Sequence, residues 1–158
     1  MPSVSGIIGR APVGAGEGGL EMGEEQREGG CLCGQVRYRV AWPPLQVMTC
    51  QCTHCQKQSG SAISVIAMVR KADLELTGEL TSYTDAGDSG NVLERQFCGR
   101  CGSPLISVIP AMDAQGMTFI KAGTLDDTSG LAPAVHLWTQ SAQDWMVLPE
   151  AGAKVPRQ

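Results

Sequence analysis

The chain has 158 residues with a formal net charge of −4, and 42% of its residues are hydrophobic. This length and composition predict one globular domain with a buried core. No apolar run approaches the roughly 20 residues of a membrane-spanning helix, and the acidic balance disfavours nucleic acid as a partner. No basic start followed by an apolar block marks a secretory signal, so we expect a cytoplasmic protein that binds neither a membrane nor nucleic acid.

Residues 1–28 differ in composition from the rest of the chain. Glycine and glutamate dominate this segment, and its apolar residues show no period. Such a composition does not offset the entropy of ordering, so we predict a flexible N-terminal arm. A strand near residues 4–8 is the alternative. Residues 29–150 are predicted to form the folded domain, and residues 151–158 a C-terminal tail.

From residue 29 onward, short apolar segments alternate with turn signals. Residues 36–40 alternate apolar and basic side chains, a pattern typical of a half-buried strand. Residues 74–76 and 80–83 flank a Thr-Gly-Glu turn and predict a hairpin, while residues 125–129 predict one turn of helix. Further strands are predicted at residues 45–50, 62–70, 92–97, 105–109, 117–122 and 134–139. Many short strands with little helix indicate an all-β fold class.

Seven cysteines form three clusters in this chain. The clusters are CxCG at Cys31 and Cys33, CxCxxC at Cys50, Cys52 and Cys55, and CxxCG at Cys98 and Cys101. An odd number of cysteines without an export signal argues against a disulfide framework. The CxxCG turn aims both of its sulfurs at one ion, and three closely spaced cysteine clusters in one chain indicate zinc binding.

The seven thiols divide into a set of four and a set of three. The set of four, Cys31, Cys33, Cys98 and Cys101, would close a saturated tetrahedral site, which makes a structural role the expected one. The set of three, Cys50, Cys52 and Cys55, leaves a fourth position open, as a catalytic zinc requires. A second structural site completed by His54, His136 or a carboxylate is the alternative. The sequence thus predicts two zinc ions per chain.

The chemistry of the three-cysteine set favours a sulfur substrate. Three thiolates give Zn²⁺ a net charge of about −1, which makes it a weaker acidifier of water than zinc held by imidazoles. Soft sulfur ligation suits a thiol as the fourth partner, and a zinc-bound thiol is deprotonated. Deaminases with Cys₃ zinc need an H-x-E element and a P-C-x-x-C element, and this sequence has neither.

The cysteine motifs resemble those of the family of glutathione-dependent formaldehyde-activating enzymes, which shares its domain with centromere protein V. The matching segments are GGCLCGQVRY at residues 29–38, CQCTHCQKQSG at 50–60, FCGRCGSPL at 97–105 and PAVHLW at 133–138 with Trp145. The resemblance implies an Mss4-like fold of antiparallel sheets, with a structural zinc on the set of four and a second zinc on the set of three. It also implies the joining of formaldehyde to glutathione, formally a carbon–sulfur lyase run backwards.

Candidates for substrate binding surround the three cysteines, which are the candidate catalytic residues. Lys57 could pair with a substrate carboxylate, with a solvated lysine as the alternative. The segment of Ser59, Gly60 and Ser61 could form a loop over the bound sulfur, with a plain turn as the alternative. His136 could line the pocket, although a core histidine is an equal alternative.

The expected function is that of a zinc-dependent carbon–sulfur lyase-type enzyme acting on glutathione or thiol adducts. Its expected partners are a small-molecule thiol such as glutathione and an aldehyde. A non-catalytic, zinc-stabilised binding module is the alternative, and a redox sensor based on Cys50 or Cys52 is a weaker third hypothesis. Trp145 is expected in the core.

Overall fold

The computed structural model describes residues 25–157. Most of the predicted arm, and the alternative strand at residues 4–8, lie outside these residues. The first strand begins at Gln26. Residues 26–28, which the sequence analysis placed in the arm, therefore belong to the folded domain.

The described residues form eleven strands and two short α-helices. The strands are β1 (Gln26–Gly30), β2 (Arg37–Ala41), β3 (Gln46–Cys50), β4 (Ser64–Arg70), β5 (Leu74–Thr77), β6 (Leu80–Ala86), β7 (Val92–Cys98), β8 (Pro104–Val108), β9 (Met117–Lys121), β10 (Val135–Leu137) and β11 (Ala153–Val155). The helices are α1 (Thr53–Ser59) and α2 (Pro110–Asp113), and single 3₁₀ turns lie at Lys71–Asp73, Ala122–Thr124 and Thr139–Ser141. The prediction of an all-β fold class is confirmed.

The strands are arranged in two sheets. The small sheet has the order β1-β2-β5, and the large sheet has the order β11-β10-β3-β4-β9-β8-β7-β6. Most neighbouring strands are antiparallel, as the resemblance implies. The exception is β10, which runs parallel to both β3 and β11.

The predicted hairpin between residues 74–76 and 80–83 is wrong. These segments are the strands β5 and β6, but β5 pairs with β2 in the small sheet and β6 pairs with β7 in the large one. Between them, Gly78 has a φ of +91°, and a Cβ atom there would collide with the carbonyl oxygen of Gln35. The glycine therefore lets the chain cross from one sheet to the other at a close backbone contact.

The main core lies between the two sheets. The apolar side chains of β2 pack against one face of the large sheet, where the alternation of strands β4, β8 and β9 places further apolar residues. Fully buried members of this cluster are Val36, Val40, Ala67, Leu105 and Ile120. This apolar face holds the two sheets together. The small sheet therefore does not cover the opposite face of the large sheet.

The opposite face of the large sheet carries polar and thiol groups. Directly paired residues share a face, and residues two apart in one strand share it as well. The register pairs Cys50 with Ser64, Ile66 with Lys121, Phe119 with Ser107, Ser107 with Arg95, and Arg95 with Tyr83. Together these residues define what we call the cysteine face.

The structure corrects two further local expectations and adds one helix. Residues 125–129 form no turn of helix; Leu125 instead bridges to Gly29 beside the 3₁₀ turn at Ala122–Thr124. Trp145 is not in the core, because its side chain is 71% exposed and its Nε1 atom donates to Gln143 Oε1. Helix α1 was not predicted.

Candidate functional site

The four-cysteine set lies where the small sheet meets the end of the large one. Cys31 and Cys33 follow β1, while Cys98 ends β7 and Cys101 lies in the turn to β8. All four Sγ atoms lie within 4.8 Å of one another. Val36 donates its backbone N–H to Cys31 Sγ at 3.2 Å, which stabilises a thiolate at that position.

The spacing of these four sulfurs fits a zinc ion. A tetrahedral site with Zn–S bonds of about 2.3 Å places its sulfurs about 3.8 Å apart. Cys33 Sγ lies 3.5 Å from Cys31 Sγ and 3.8 Å from Cys98 Sγ. Four thiolates at this spacing would saturate a tetrahedral ion, so the set can link the two sheets but offers no position to a substrate.

The three-cysteine set lies where β3 passes into α1. Cys50 is the last residue of β3, Cys52 caps the N-terminus of α1, and Cys55 lies in its first turn. The three Sγ atoms lie within 4.8 Å of one another, and all three residues are buried. The Cys55 N–H donates to Cys52 Sγ at 3.3 Å, so one thiol both caps the helix and belongs to the set.

Nothing from the described residues completes the three-cysteine set. His54, which follows Cys52 by two residues, turns away and donates from Nδ1 to the Asp85 carboxylate at 2.9 Å. No histidine or carboxylate among residues 25–157 has its ligand atom within 4.8 Å of all three sulfurs. This geometry disfavours the alternative of a second structural site completed by a histidine or carboxylate, and it leaves a fourth ligand position without a protein group among residues 25–157.

His136 has a different place from the one its motif suggested. It is 1% exposed, its Nδ1 atom lies 2.8 Å from Thr49 Oγ1, and its Nε2 atom donates to the Ala151 carbonyl at 3.2 Å. Both ring nitrogens thus have protein partners. This placement agrees with the alternative of a core histidine.

Two buried cations flank the three cysteines on the cysteine face. Lys121 is 5% exposed and Arg95 is 3% exposed. Hydrogen bonds from Cys50 and Cys52, aided by these two positive charges, lower the pKa of the Cys55 thiol. The neighbouring thiols and burial raise the pKa of Cys50, so this buried region favours negative charge on Cys55 rather than on all three sulfurs.

Arg95 is also tied to a carboxylate. Its Nε atom donates to Asp85 Oδ2 at 2.7 Å, and the same carboxylate accepts from His54. Burial disfavours the charge on Asp85, but the hydrogen bonds from Arg95 and His54 outweigh it and lower the pKa of the carboxyl group. Asp85 thereby fixes the direction in which the guanidinium points.

A polar pocket of about 350 Å³ opens between α1 and the strands β6 and β7. It is lined by His54, Lys57, Gln58, Tyr83, Asp85 and Arg95. Two buried atoms of its wall, Gln58 Oε1 and Arg95 Nη1, have no hydrogen-bond partner among the described residues. Since buried polar atoms are rarely left without partners, these two offer a donor and an acceptor to water or to a polar ligand.

The other predicted binding residues lie at the end of α1. Lys57 is exposed and lines the polar pocket. Ser59 bonds back to the Cys55 carbonyl at 2.8 Å, and Gly60 ends the helix in the left-handed conformation. Ser59, Gly60 and Ser61 therefore form a helix end, and none of them lines the polar pocket.

Sequence reasoning missed Lys121, Arg95 and Asp85. One signal was available, because Lys121 is the one charged residue of the strand MTFIK. Lysine is rarely buried without a partner, so such a position marks a functional candidate. Arg95 and Asp85 carried no comparable signal, since polar residues surround both in the chain.

The fold and the site thus define a mostly β domain with two cysteine clusters, one of four and one of three converging thiols. Residues 26–141 match the family model described as glutathione-dependent formaldehyde-activating enzyme. The chain belongs to this family. The resemblance drawn from the cysteine motifs is thereby confirmed.

Individual relatives agree with this assignment. A protein of Halomonas elongata is 34% identical over 125 residues, which cover 75% of this chain and 78% of the relative. A protein of Talaromyces marneffei is 27% identical over 120 residues, which cover 72% of this chain and 63% of the relative. Both bear the provisional name glutathione-dependent formaldehyde-activating enzyme.

A solved structure is also similar in part. The crystal structure of a Rhodobacter sphaeroides protein aligns over 67% of this chain and 91% of its own, with a TM-score of 0.49 and 20% identity.

No helix among residues 25–157 has the length and apolar character needed to cross a bilayer.

Proposed function

We propose that this protein is a zinc-dependent enzyme that joins a thiol of the glutathione type to an aldehyde. In reverse the reaction is a carbon–sulfur lyase reaction. The observation that most supports this proposal is the three-cysteine set, which has no fourth protein ligand among the described residues. Two buried cations and a polar pocket lie near it. The family name and the names of the two relatives support glutathione and formaldehyde as the type of reactants.

The donor set fits zinc. Cys50, Cys52 and Cys55 supply three soft sulfur ligands that converge on one point, and the open fourth position is a feature of catalytic zinc sites. Zinc held there would supply a Lewis-acidic position for a substrate sulfur or oxygen atom. The set of four would hold a second, structural zinc ion.

The buried cations suit the charge of the reacting thiol. Three thiolates with Zn²⁺ carry a formal charge of about −1, and a substrate thiolate beside them adds another negative charge. Lys121 and Arg95 lie next to this region and offset that charge. In the reaction the S–H bond breaks, a C–S bond forms at the carbonyl carbon, and the proton ends on the former carbonyl oxygen.

The polar pocket suits the charged end of the thiol. A carboxylate could accept from Arg95 Nη1 and pair with Lys57, while an N–H group of the same molecule could donate to Gln58 Oε1. Glutathione carries carboxylates, an ammonium group and amides. We therefore assign Lys57 to the substrate carboxylate, which is one of the two roles that the sequence analysis gave it, and add Arg95 and Gln58.

The test is to measure the exchange of ¹³C-labelled formaldehyde with its thiol adduct by nuclear magnetic resonance. The zinc-loaded protein should accelerate exchange with glutathione, and Cys52→Ser should abolish the acceleration. Lys57→Gln should raise the KM for glutathione while leaving that for 2-mercaptoethanol, which has no carboxylate, unchanged. Lys71→Gln is the control, because Lys71 pairs with Asp113 away from the pocket. If Cys52→Ser kept the full rate, the proposed chemistry would be wrong.

A further inference from the structure

A second cavity, of about 730 Å³, lies on the cysteine face and is lined mainly by residues of β3, β4, β9, β10 and α2. We call it the apolar groove. Its wall includes Met48, Met68, Ile109, Met112, Phe119 and Leu137. None of the residues that line it carries a charge.

The wall of the groove packs against the three-cysteine set. Leu137 is paired with Cys50 across β10 and β3, and Met48 precedes Cys50 by two residues on the same side of β3. Met48 and Phe119 belong to the same buried cluster as the three cysteines. Only this layer of apolar side chains separates the groove from the three cysteines, which do not line it themselves.

The size and chemistry of this groove do not match formaldehyde. Its volume lies within the range of about 300–1,000 Å³ that is typical of small-molecule sites, whereas formaldehyde has a single carbon atom. An uncharged wall is also a poor match for the carboxylates and ammonium group of glutathione. Three methionines make the wall adaptable, which suits a flexible hydrocarbon chain.

We propose that the apolar groove binds the carbon chain of an aldehyde, so that the aldehyde partner is an aliphatic one of several carbons. This inference rests on the proposed function and specifies the second reactant. The thiol sulfur bonds to the carbonyl carbon, the S–H bond breaks, and the proton ends on the oxygen. The carbonyl π bond opens as the C–S bond forms, so the product is a hemithioacetal, the S-(1-hydroxyalkyl) derivative of the thiol, and no oxidation or reduction occurs. The thiol's charged end lies in the polar pocket and the alkyl chain in the groove.

The proposal can be tested by binding alone. S-alkyl glutathiones are unreactive thioethers that carry both parts of the adduct. Calorimetric titration of the zinc-loaded protein with the methyl to hexyl series should show affinity rising by about fourfold for each added methylene, as complete burial of a CH₂ group predicts. An affinity that does not change with chain length would overturn the proposal.

Variants locate the effect in the groove. Met112→Glu places a charge in the wall from a partly exposed position on α2 and should remove most of the chain-length dependence. Met117→Glu is the control, because Met117 is also partly exposed but lies outside the groove. Val92→Glu repeats the test at the rim of the groove. Because Val92 is 54% exposed, a charge there should not disturb folding. Chain-length dependence that survives both groove variants would overturn the proposal.

Two further outcomes separate this proposal from the proposed function. Exchange of formaldehyde with glutathione that depends on Cys52, together with a flat alkyl series, would overturn the groove assignment and leave the enzyme assignment standing. A rising alkyl series without catalysis of any aldehyde would support the groove as a ligand site and reject the reaction. If sedimentation showed a dimer that Met112→Glu dissociates while the alkyl series stays flat, the groove would be an interface, and the proposal would fail.

Discussion

Lys121 Nζ donates a hydrogen bond of 3.0 Å to Ser64 Oγ, and Ser64 is the residue paired with Cys50 across β3 and β4. Burial lowers the pKa of Lys121, while the thiols of the three-cysteine set act in the opposite direction. A buried ammonium group is costly without a compensating anion. The lysine and the thiolates therefore support each other's charged states.

Lys121→Met should preserve the fold but impair the reaction. Methionine keeps the length and apolar stem of lysine, and replacing a buried charge with an apolar group is often tolerated. The stabilising charge beside the substrate thiolate is lost, so kcat/KM should fall about thirtyfold, equivalent to about 2 kcal/mol. Lys71→Met is the matched control and should stay within about twofold of the parent. An unchanged rate in Lys121→Met would show that the lysine has no part in the chemistry.

Cys98→Ser should destabilise the protein far more than Cys52→Ser. Cys98 is fully buried in the four-cysteine set, which connects the small sheet to β7 and β8 of the large sheet. Structural zinc binding contributes on the order of 10 kcal/mol to folding in small domains. The Cys98→Ser protein should lose cooperative thermal unfolding monitored by circular dichroism, whereas Cys52→Ser should retain it. Equal losses would contradict the division into a structural and a functional set.

Asp85→Asn should weaken the fold around the polar pocket. The carboxylate accepts from the buried Arg95 guanidinium and from His54, and hydrogen bonds to charged groups contribute about 2 kcal/mol. We expect a loss of about that size in the free energy of unfolding, measured by urea denaturation. Asp113→Asn breaks the more exposed ion pair with Lys71 and should cost at most about 0.5 kcal/mol. Equal effects of the two variants would show that burial of the Asp85 pair adds nothing.

The stabilisation by Asp85 should depend on pH in a defined direction. The pKa of Asp85 is lowered in the folded protein, because the hydrogen bonds from Arg95 and His54 outweigh its burial. Its contribution is thus complete above the unfolded pKa of about 4 and is lost as the pH falls through the lower, folded value. The difference in stability between the parent and Asp85→Asn should be constant from pH 5 to 7 and shrink below pH 4. A difference that grew on acidification would contradict this assignment.

Local patterns predicted most of the strands. The alternation of apolar and basic side chains in residues 36–40 predicted β2. Apolar segments between turns predicted β3, β4 and β7 to β10. The sequence did not predict which strands pair, because pairing depends on contacts that are distant in the chain. β5 is the clearest example, since it follows a turn signal yet pairs with β2 rather than with its neighbour β6.

The cysteine sets could also be predicted, since ligand spacing in a turn is local information. The residues that surround these sets could not be predicted in this way. Helix α1 is only seven residues long and begins after Cys52, which is not one of the usual N-capping residues, although the left-handed Gly60 is a usual end for a helix. The buried cations come from β7 and β9, and only the register of the large sheet brings them to Cys55. Trp145 shows the opposite error, because an aromatic residue alone does not establish burial.

The central claim is that the chain holds two zinc ions in two different kinds of site. Elemental analysis of protein purified without a chelator measures this directly, alongside a count of free thiols. We expect two zinc ions per chain in the parent and one in Cys52→Ser, with the remaining ion held by the four-cysteine set. One zinc ion in the parent, unchanged in Cys52→Ser and not increased by added zinc, would contradict the account.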